Sequence, residues 1–263
     1  MSKHFKGPKA KALALLSLAA LALLAVGLVS AASGAVVRAG NLIVEIEGQI
    51  SPTKLSKKTP TPITLTVSGS IKSADGSHVP ALKTLSLQFD RHGQIYTKGL
   101  ATCNPAKLES TLTAQAKAAC GPALVGTGSV SAQIAFPEQA PFPASGPLLI
   151  FNGAPKGGKP TLIFHVHADV PAPTTFVTEG VISKASGKYG TSTEIAIPTI
   201  VGGQGSLTAF KAKIHKTWTY KGQKKSLLLA TCPTGSLFAH GEFKFADGTK
   251  ISGDVAKACT GSG

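Results

Sequence analysis

The sequence predicts an all-β fold, an antiparallel β-sandwich with one short helix, preceded by an N-terminal signal or anchor helix. Three observations carry that expectation. Apolar and polar residues alternate with period two along most of the chain. The 29 glycines and 17 prolines among 263 residues turn the chain often enough to keep strands short. Charged residues make up only 15%, and no long Glu/Lys/Leu-rich tract offers helical spacing.

The first residues differ in kind. "MSKHFKGPKAK" carries four lysines and no acid, "ALALLSLAALALLAVGLVS" (12–30) is an unbroken apolar and small-residue run, and "AASGAVVRAG" follows. A basic start, an apolar middle and a small-residue exit form a secretory signal. Cleavage after Ala31 or as late as Ala39 fits the small-residue spacing. The run is also close to the ~20 residues that cross a bilayer, so an uncleaved anchor is the alternative over 1–31. Both place the remainder outside the cytoplasm, secreted or at the cell surface. Neither a twin arginine before the run nor a cysteine after it is present, so neither a Tat signal nor a lipoprotein anchor is indicated. Removing 1–31 takes four of the 27 Lys+Arg and none of the 12 Asp+Glu, leaving 23 against 12, a balance of +11. Such a surface suits anionic partners.

From residue 40 onward the strands read in order. "NLIVEIEGQI" (41–50) comes first, then "PITLTVSGSI" with Ile63, Leu65 and Val67 on one face and Thr64, Thr66 and Ser68 on the other. "LKTLSLQFD" repeats the pattern through Leu85, Leu87 and Phe89, and "DRHG" turns the chain toward "QIYTKG". Asn104 before Pro105, Leu108 and Leu112 four apart, and Gly121 as a stop predict a short helix within 104–118. Val130, Ala132, Ile134 and Phe136 resume the alternation. The proline-rich "FPEQAPFPASGP" (136–147) reads as an extended connector, and as the one internal boundary if 40–135 and 147–263 are two halves. "PLLIFNG" and "TLIFHVHADV" flank the turn "APKGGKP", a hairpin. "TFVTEGVIS", "STEIAIP" and "SLTAFKAKIHKTWTY" follow, the last with Phe210, Ala212, Ile214, Trp218 and Tyr220 on one face. Asp247-Gly248 inside "GEFKFADGTKISG" is the strongest short hairpin signal in the chain.

The four cysteines sit in two look-alike brackets. "LATC" occurs at 100–103 and at 229–232, and each copy has one further cysteine after it, Cys120 and Cys259. An exported chain with an even number of cysteines is expected to form disulfides. Of the three pairings, the nearest-neighbour choice joins Cys103 to Cys120 and Cys232 to Cys259. Loops of that size give roughly 3 to 4 kcal/mol each by chain entropy, a large part of a net stability of ~5–15 kcal/mol. Free thiols and a zinc site are the alternatives, and the absence of any C-x-x-C argues against zinc.

At these residues a resemblance emerges. "CNPAKL…ACGPALVGTGSV", with Cys103, Cys120, Gly126 and Gly128, and "CPTGSLFAHGEFKFADG…AC", with Cys232, Phe243, Phe245, Gly248 and Cys259, resemble segments of exported bacterial β-rich proteins with paired cysteines. Here Cys-Gly-Pro stands where Cys-Pro is usual in that group. The resemblance covers about two thirds of the chain beyond the leader. It implies an exported all-β protein and brings no activity or cofactor with it.

Two constellations stand out as candidate sites. In "FHVHAD", His165, His167 and Asp169 share one strand face. The two histidines are about 6–7 Å apart and can grip one metal ion, whereas Asp169 is about 13 Å from His165, too far to join them. A third ligand must come from another strand, with Glu179 and Glu194 the acids considered. Solvated strand-face histidines are the plainer reading. The second constellation is basic: Lys211, Lys213, Lys216, Lys221, Lys224 and Lys225, with His215. It reads either as a sheet edge kept from pairing by lysines or as an anion-binding surface for envelope polymers. With Arg38 and Arg91 the only arginines, base readout and hence nucleic acid is disfavoured. No G-x-S-x-G elbow exists, and "GTGSV" and "GGQGS" lack its spacing. The expectation is therefore a non-enzymatic, envelope-associated structural or binding module without cofactor. Its expected partners are anionic polymers or another surface protein, with membrane contact only through an uncleaved leader. The alternative is a metal-binding or metal-dependent protein using His165 and His167.

Overall fold

The alternating rows form strands along nearly the whole chain in the computed structural model, which describes residues 29–31 and 34–263. Apart from its last three residues, the expected leader lies outside the described residues. The amino-terminal part holds β1 (Val29–Ala31), β2 (Gly34–Ala39), β3 (Leu42–Ser51), β4 (Lys54–Ser56), β5 (Thr61–Pro62), β6 (Thr64–Ser73), β7 (Leu82–Asp90) and β8 (Gly93–Ile95). Helix α1 (Thr113–Cys120) follows. Next come β9 (Leu124–Ile134), β10 (Phe142–Lys156), β11 (Lys159–Ala168), β12 (Thr174–Lys184) and β13 (Tyr189–Ala196). The chain continues through β14 (Gly205–Ile214), β15 (Thr217–Tyr220), β16 (Gln223–Ser226), β17 (Leu228–Ala230), β18 (Ser236–Phe245), β19 (Lys250–Ala258) and β20 (Thr260–Ser262).

Thirteen of these strands hydrogen-bond into one antiparallel sheet in the order β1-β2-β3-β6-β14-β9-β10-β11-β12-β13-β7-β18-β19. The sheet rolls until its last strand packs against β2 and β3, so its two ends lie face to face as in a sandwich. Gly253 permits the approach: a Cβ there would stand 2.8 Å from a Val37 methyl. Ala35, Val37, Val44, Ile46, Phe243, Ile251 and Val255 fill this junction. Strands from before and after the 136–147 segment interleave, since β14 pairs with both β6 and β9 and β13 pairs with β7. The second half of that segment is not a free connector but the start of β10, with Pro143 and Pro147 opposite Gln133 and Ser129.

Local chemistry sets the hairpins. Gly157 and Gly158 both take positive φ (55° and 73°) in the two-residue loop between β10 and β11, as a primed turn requires. At the β18–β19 turn the Asp247 carboxylate accepts the Thr249 N–H and Gly248 takes φ 89°. The "DRHG" turn is held by the buried Asp90, which accepts the His92 N–H at 2.8 Å, the His92 ring at 2.7 Å and the Phe238 N–H at 3.0 Å.

The helical segment is shorter than the sequence suggests. Asn104 caps a single 3-10 turn, Pro105–Lys107, by accepting the Ala106 N–H. The chain then breaks at Ser110 (φ 58°) before α1 begins at Thr113. The Thr111 hydroxyl donates to the Leu108 carbonyl, satisfying an acceptor that a continuous helix would have used. Leu108 is wholly buried, whereas Leu112, its expected partner, is 48% exposed.

Both nearest-neighbour disulfides are formed, with Cα–Cα distances of 5.5 Å for Cys103–Cys120 and 6.1 Å for Cys232–Cys259. The first fastens 104–119 across the outer face of β10 and β11, where Leu108 and Ala116 cover Leu149, Phe151 and Ile163. The second closes the open end of the β18–β19 hairpin over Leu55, Ile63 and Leu237. A Cys103→Ser/Cys120→Ser variant is expected to lose about 2–4 kcal/mol in a urea titration and to be cut first between residues 104 and 119 in limited proteolysis.

Candidate functional site

The inward rows predicted from alternation converge on a common space. Leu85, Leu87 and Phe89 of β7, Val130, Ala132 and Ile134 of β9, and Phe210, Ala212 and Ile214 of β14 line it, as do Phe164 and Val166 of β11 and Phe176 of β12. They enclose a cavity of about 200 Å³, and a second of about 140 Å³ adjoins it, with Phe89, Leu162, Thr193 and Ile214 lining both. Small side chains on the same rows, Ala132, Ala144, Gly146, Ala168 and Ala212, leave this space unfilled. Consequently Leu87, Phe89, Phe164, Val166 and Phe176 point inward yet stay only half-buried.

No charged residue lines the larger cavity. Two of its few hydroxyls are spent on backbone, Thr174 donating to Ala172 and Thr178 to Ala196. A water needs two to four polar partners; Thr193 Oγ1, buried without a hydrogen-bond partner, is one such group in these walls. The space suits hydrocarbon. At one end Val170 is 48% exposed and stands with Pro171, Pro198 and Val201.

His165 and His167 lie on the opposite, outer face of β11, but not in solvent: they are 0% and 9% exposed beneath the 104–119 segment. The His165 Nε2–H donates to the Thr111 carbonyl at 3.1 Å, and the Thr175 hydroxyl donates to that same carbonyl at 2.9 Å. With the Thr175 proton so placed, His167 Nδ1–H donates to the Thr175 oxygen at 2.8 Å. His165 Nδ1 and His167 Nε2 carry no hydrogen bond; the latter is 3.3 Å from the exposed Asp169 carboxylate. Glu179 pairs with Lys156, while Glu194 accepts from Ser86 and lies near Lys244. No group of three His, Cys, Asp or Glu placed to hold a metal occurs among the described residues. Here the histidines serve as a latch that seats the covering segment on the sheet. Sequence reasoning placed them on one face and missed the cover, although the unbroken "PLLIFNG" run signals a strand buried on both faces.

The six lysines separate into two groups. Lys211 and Lys213 stand exposed on the outer face of β14, which is an interior strand between β6 and β9. The edge-strand reading therefore fails for them: partners distant in sequence flank the strand on both sides. Lys221, Lys224 and Lys225 belong to the separate β15–β16 hairpin, and Lys216 precedes it. Trp218 stacks on Tyr96 with ring centroids 6.0 Å apart and donates to the Lys98 carbonyl, so it packs rather than presents a platform.

A further cluster escaped sequence reasoning because it joins three strands. Asp254 of β19 accepts from Tyr189 at 2.7 Å and from Lys188 at 3.1 Å, and pairs with His240 of β18 at 2.8 Å. Burial alone would raise the Asp254 pKa; the bonds from Tyr189, His240 and Lys188 outweigh it and hold it at about 2. Burial, reinforced by Asp254, also raises Tyr189, so the phenol stays protonated and acts as a donor.

No family model, no curated protein and no solved structure matches this chain.

Burial lowers the proton affinity of His165, and the charge of His167 adds to this, against the Thr111 carbonyl, which favours the proton. The unfolded chain thus binds that proton more readily, so the stability His165 contributes is present above the ordinary histidine value near 6.5 and is lost as pH falls below it. Denaturant titrations between pH 8 and 5 should show a loss of stability below about 6.5, shallower in His165→Gln.

Proposed function

We propose that this is an exported, non-catalytic binding module that holds an apolar ligand inside the rolled sheet. The observation that carries the reading is the charge-free cavity of about 200 Å³, an interior that side chains fail to fill. Eight strands suffice for side chains to fill a barrel, and larger rolls enclose space for ligands. The two disulfides and the +11 balance support a role outside the cytoplasm against an anionic envelope.

The reading predicts that an uncharged fluorescent hydrophobic probe binds the folded protein saturably. Ala132→Leu with Ala144→Leu, which adds carbon to the cavity wall, should weaken binding by about tenfold or more while leaving the melting temperature unchanged or raised. Equal binding by the filled variant would sink the reading.

A second reading, contact with anionic polymers, is favoured by one observation. None of Lys211, Lys213, Lys216, Lys221, Lys224 and Lys225 has a carboxylate within ion-pair distance among the described residues. Binding to polyphosphate should then weaken steeply with salt. Lys211→Glu with Lys213→Glu and Lys224→Glu should remove it, and an unchanged salt dependence would discard the idea.

A further inference from the structure

We propose that the ligand is an anionic amphiphile with one long hydrocarbon chain, its headgroup held by Lys257. The inference rests on the apolar-ligand reading and adds to it a charge and an orientation. The two cavities differ in chemistry. The larger has no titratable group in its walls, whereas the smaller is lined by Gln49, Gln94, Asp90 and Lys257 beside its hydrocarbon.

Of those two charges, Asp90 is already committed. Its Oδ1 accepts from the His92 N–H and ring, and its Oδ2 from the Phe238 N–H. Lys257 is not. It stands half-buried on β19 opposite Leu237, and no carboxylate lies within ion-pair distance of it among the described residues. Its aliphatic stem can lie along that hydrocarbon while the ammonium remains free to meet an anion.

The dimensions agree. From Leu162, which lines both cavities, to Ala168 at the end of β11 is six residues of strand, about 20 Å at a rise of ~3.3 Å per residue. One lipid tail spans half of a hydrocarbon core of ~30 Å, or about 15 Å. A single tail is therefore no longer than the strand that lines the space, and the proposal sets its polar end at Lys257 and its methyl end toward Val170. A carboxylate and a lipid phosphate share the required chemistry.

Three ligands of equal chain length separate the possibilities: palmitate, hexadecyl phosphate and hexadecanol, titrated by calorimetry into the full-length protein and into Lys257→Met, which keeps the aliphatic stem. At least one anionic ligand should bind about tenfold or more tightly than the alcohol, the size of one charge-assisted hydrogen bond. That advantage should vanish in Lys257→Met while hexadecanol affinity and the melting temperature stay the same. Tighter binding of palmitate assigns a free fatty acid, and tighter binding of the phosphate a lipid headgroup. If alcohol and anions bind alike, or the advantage survives in Lys257→Met, the headgroup assignment is overturned and the apolar-ligand reading stands. If none of the three binds and the uncharged probe also fails, both fall.

Discussion

Strand number is the constraint from which the rest follows. A ladder of thirteen antiparallel strands twists as it grows, because each strand pair is rotated by roughly −20 to −25°, and its apolar face must turn inward to leave water. About eight strands already make a barrel whose side chains meet at the centre; a longer ladder encloses more than its side chains can fill. The sheet resolves the excess unevenly. Where β18 and β19 lie on β2 and β3, Phe243, Ile46 and Val255 pack tightly and Gly253 lets the backbones come close. Where β9 to β14 curve around, alanine and glycine alternate with phenylalanine and valine, and the interior stays open.

The outer face of β10 and β11 is covered by a segment held through covalent and polar fastening. The segment from Cys103 to Cys120 is irregular for much of its length, and its one α-helix has eight residues. Such a segment contributes little stability through its own backbone. It is held by sulfur at its ends, by Leu108 in the middle, and by the Thr111 carbonyl that His165 and Thr175 share. Of the two histidines singled out in sequence, His165 donates to the Thr111 carbonyl of the covering segment and His167 to the Thr175 hydroxyl of β12.

How much of this was legible in the sequence depended on the range of the interaction. Rows such as Leu85–Leu87–Phe89 and Val130–Ala132–Ile134 were readable because period two is local, and so were the turns at 157–158 and 247–248. The disulfide pairing followed from sequence proximity. Strand order did not: that β14 is flanked by β6 and β9, which makes Lys211 and Lys213 outward-facing residues of an interior strand, depends on pairings across some 80 to 150 residues. The open interior was half legible, since the small residues sit in plain view on the inward rows, but their convergence needed the roll. The Asp254 cluster draws on β13, β18 and β19 and was invisible before those strands were placed. The latch was missed because the 104–118 stretch reads as a regular helix, and nothing local says that it breaks at Ser110 to deliver Thr111.

The placement of the Cys232–Cys259 clasp makes the molecule mechanically lopsided. A pull applied at β1 acts on an outermost strand that is paired to β2 over only three residues. A pull on the carboxyl end runs through β20, which lies parallel to β4, and then reaches a covalent ring around the last hairpin. Tethered by its front, the protein would yield gradually; dragged from its back, it would resist until the ring moved as one piece.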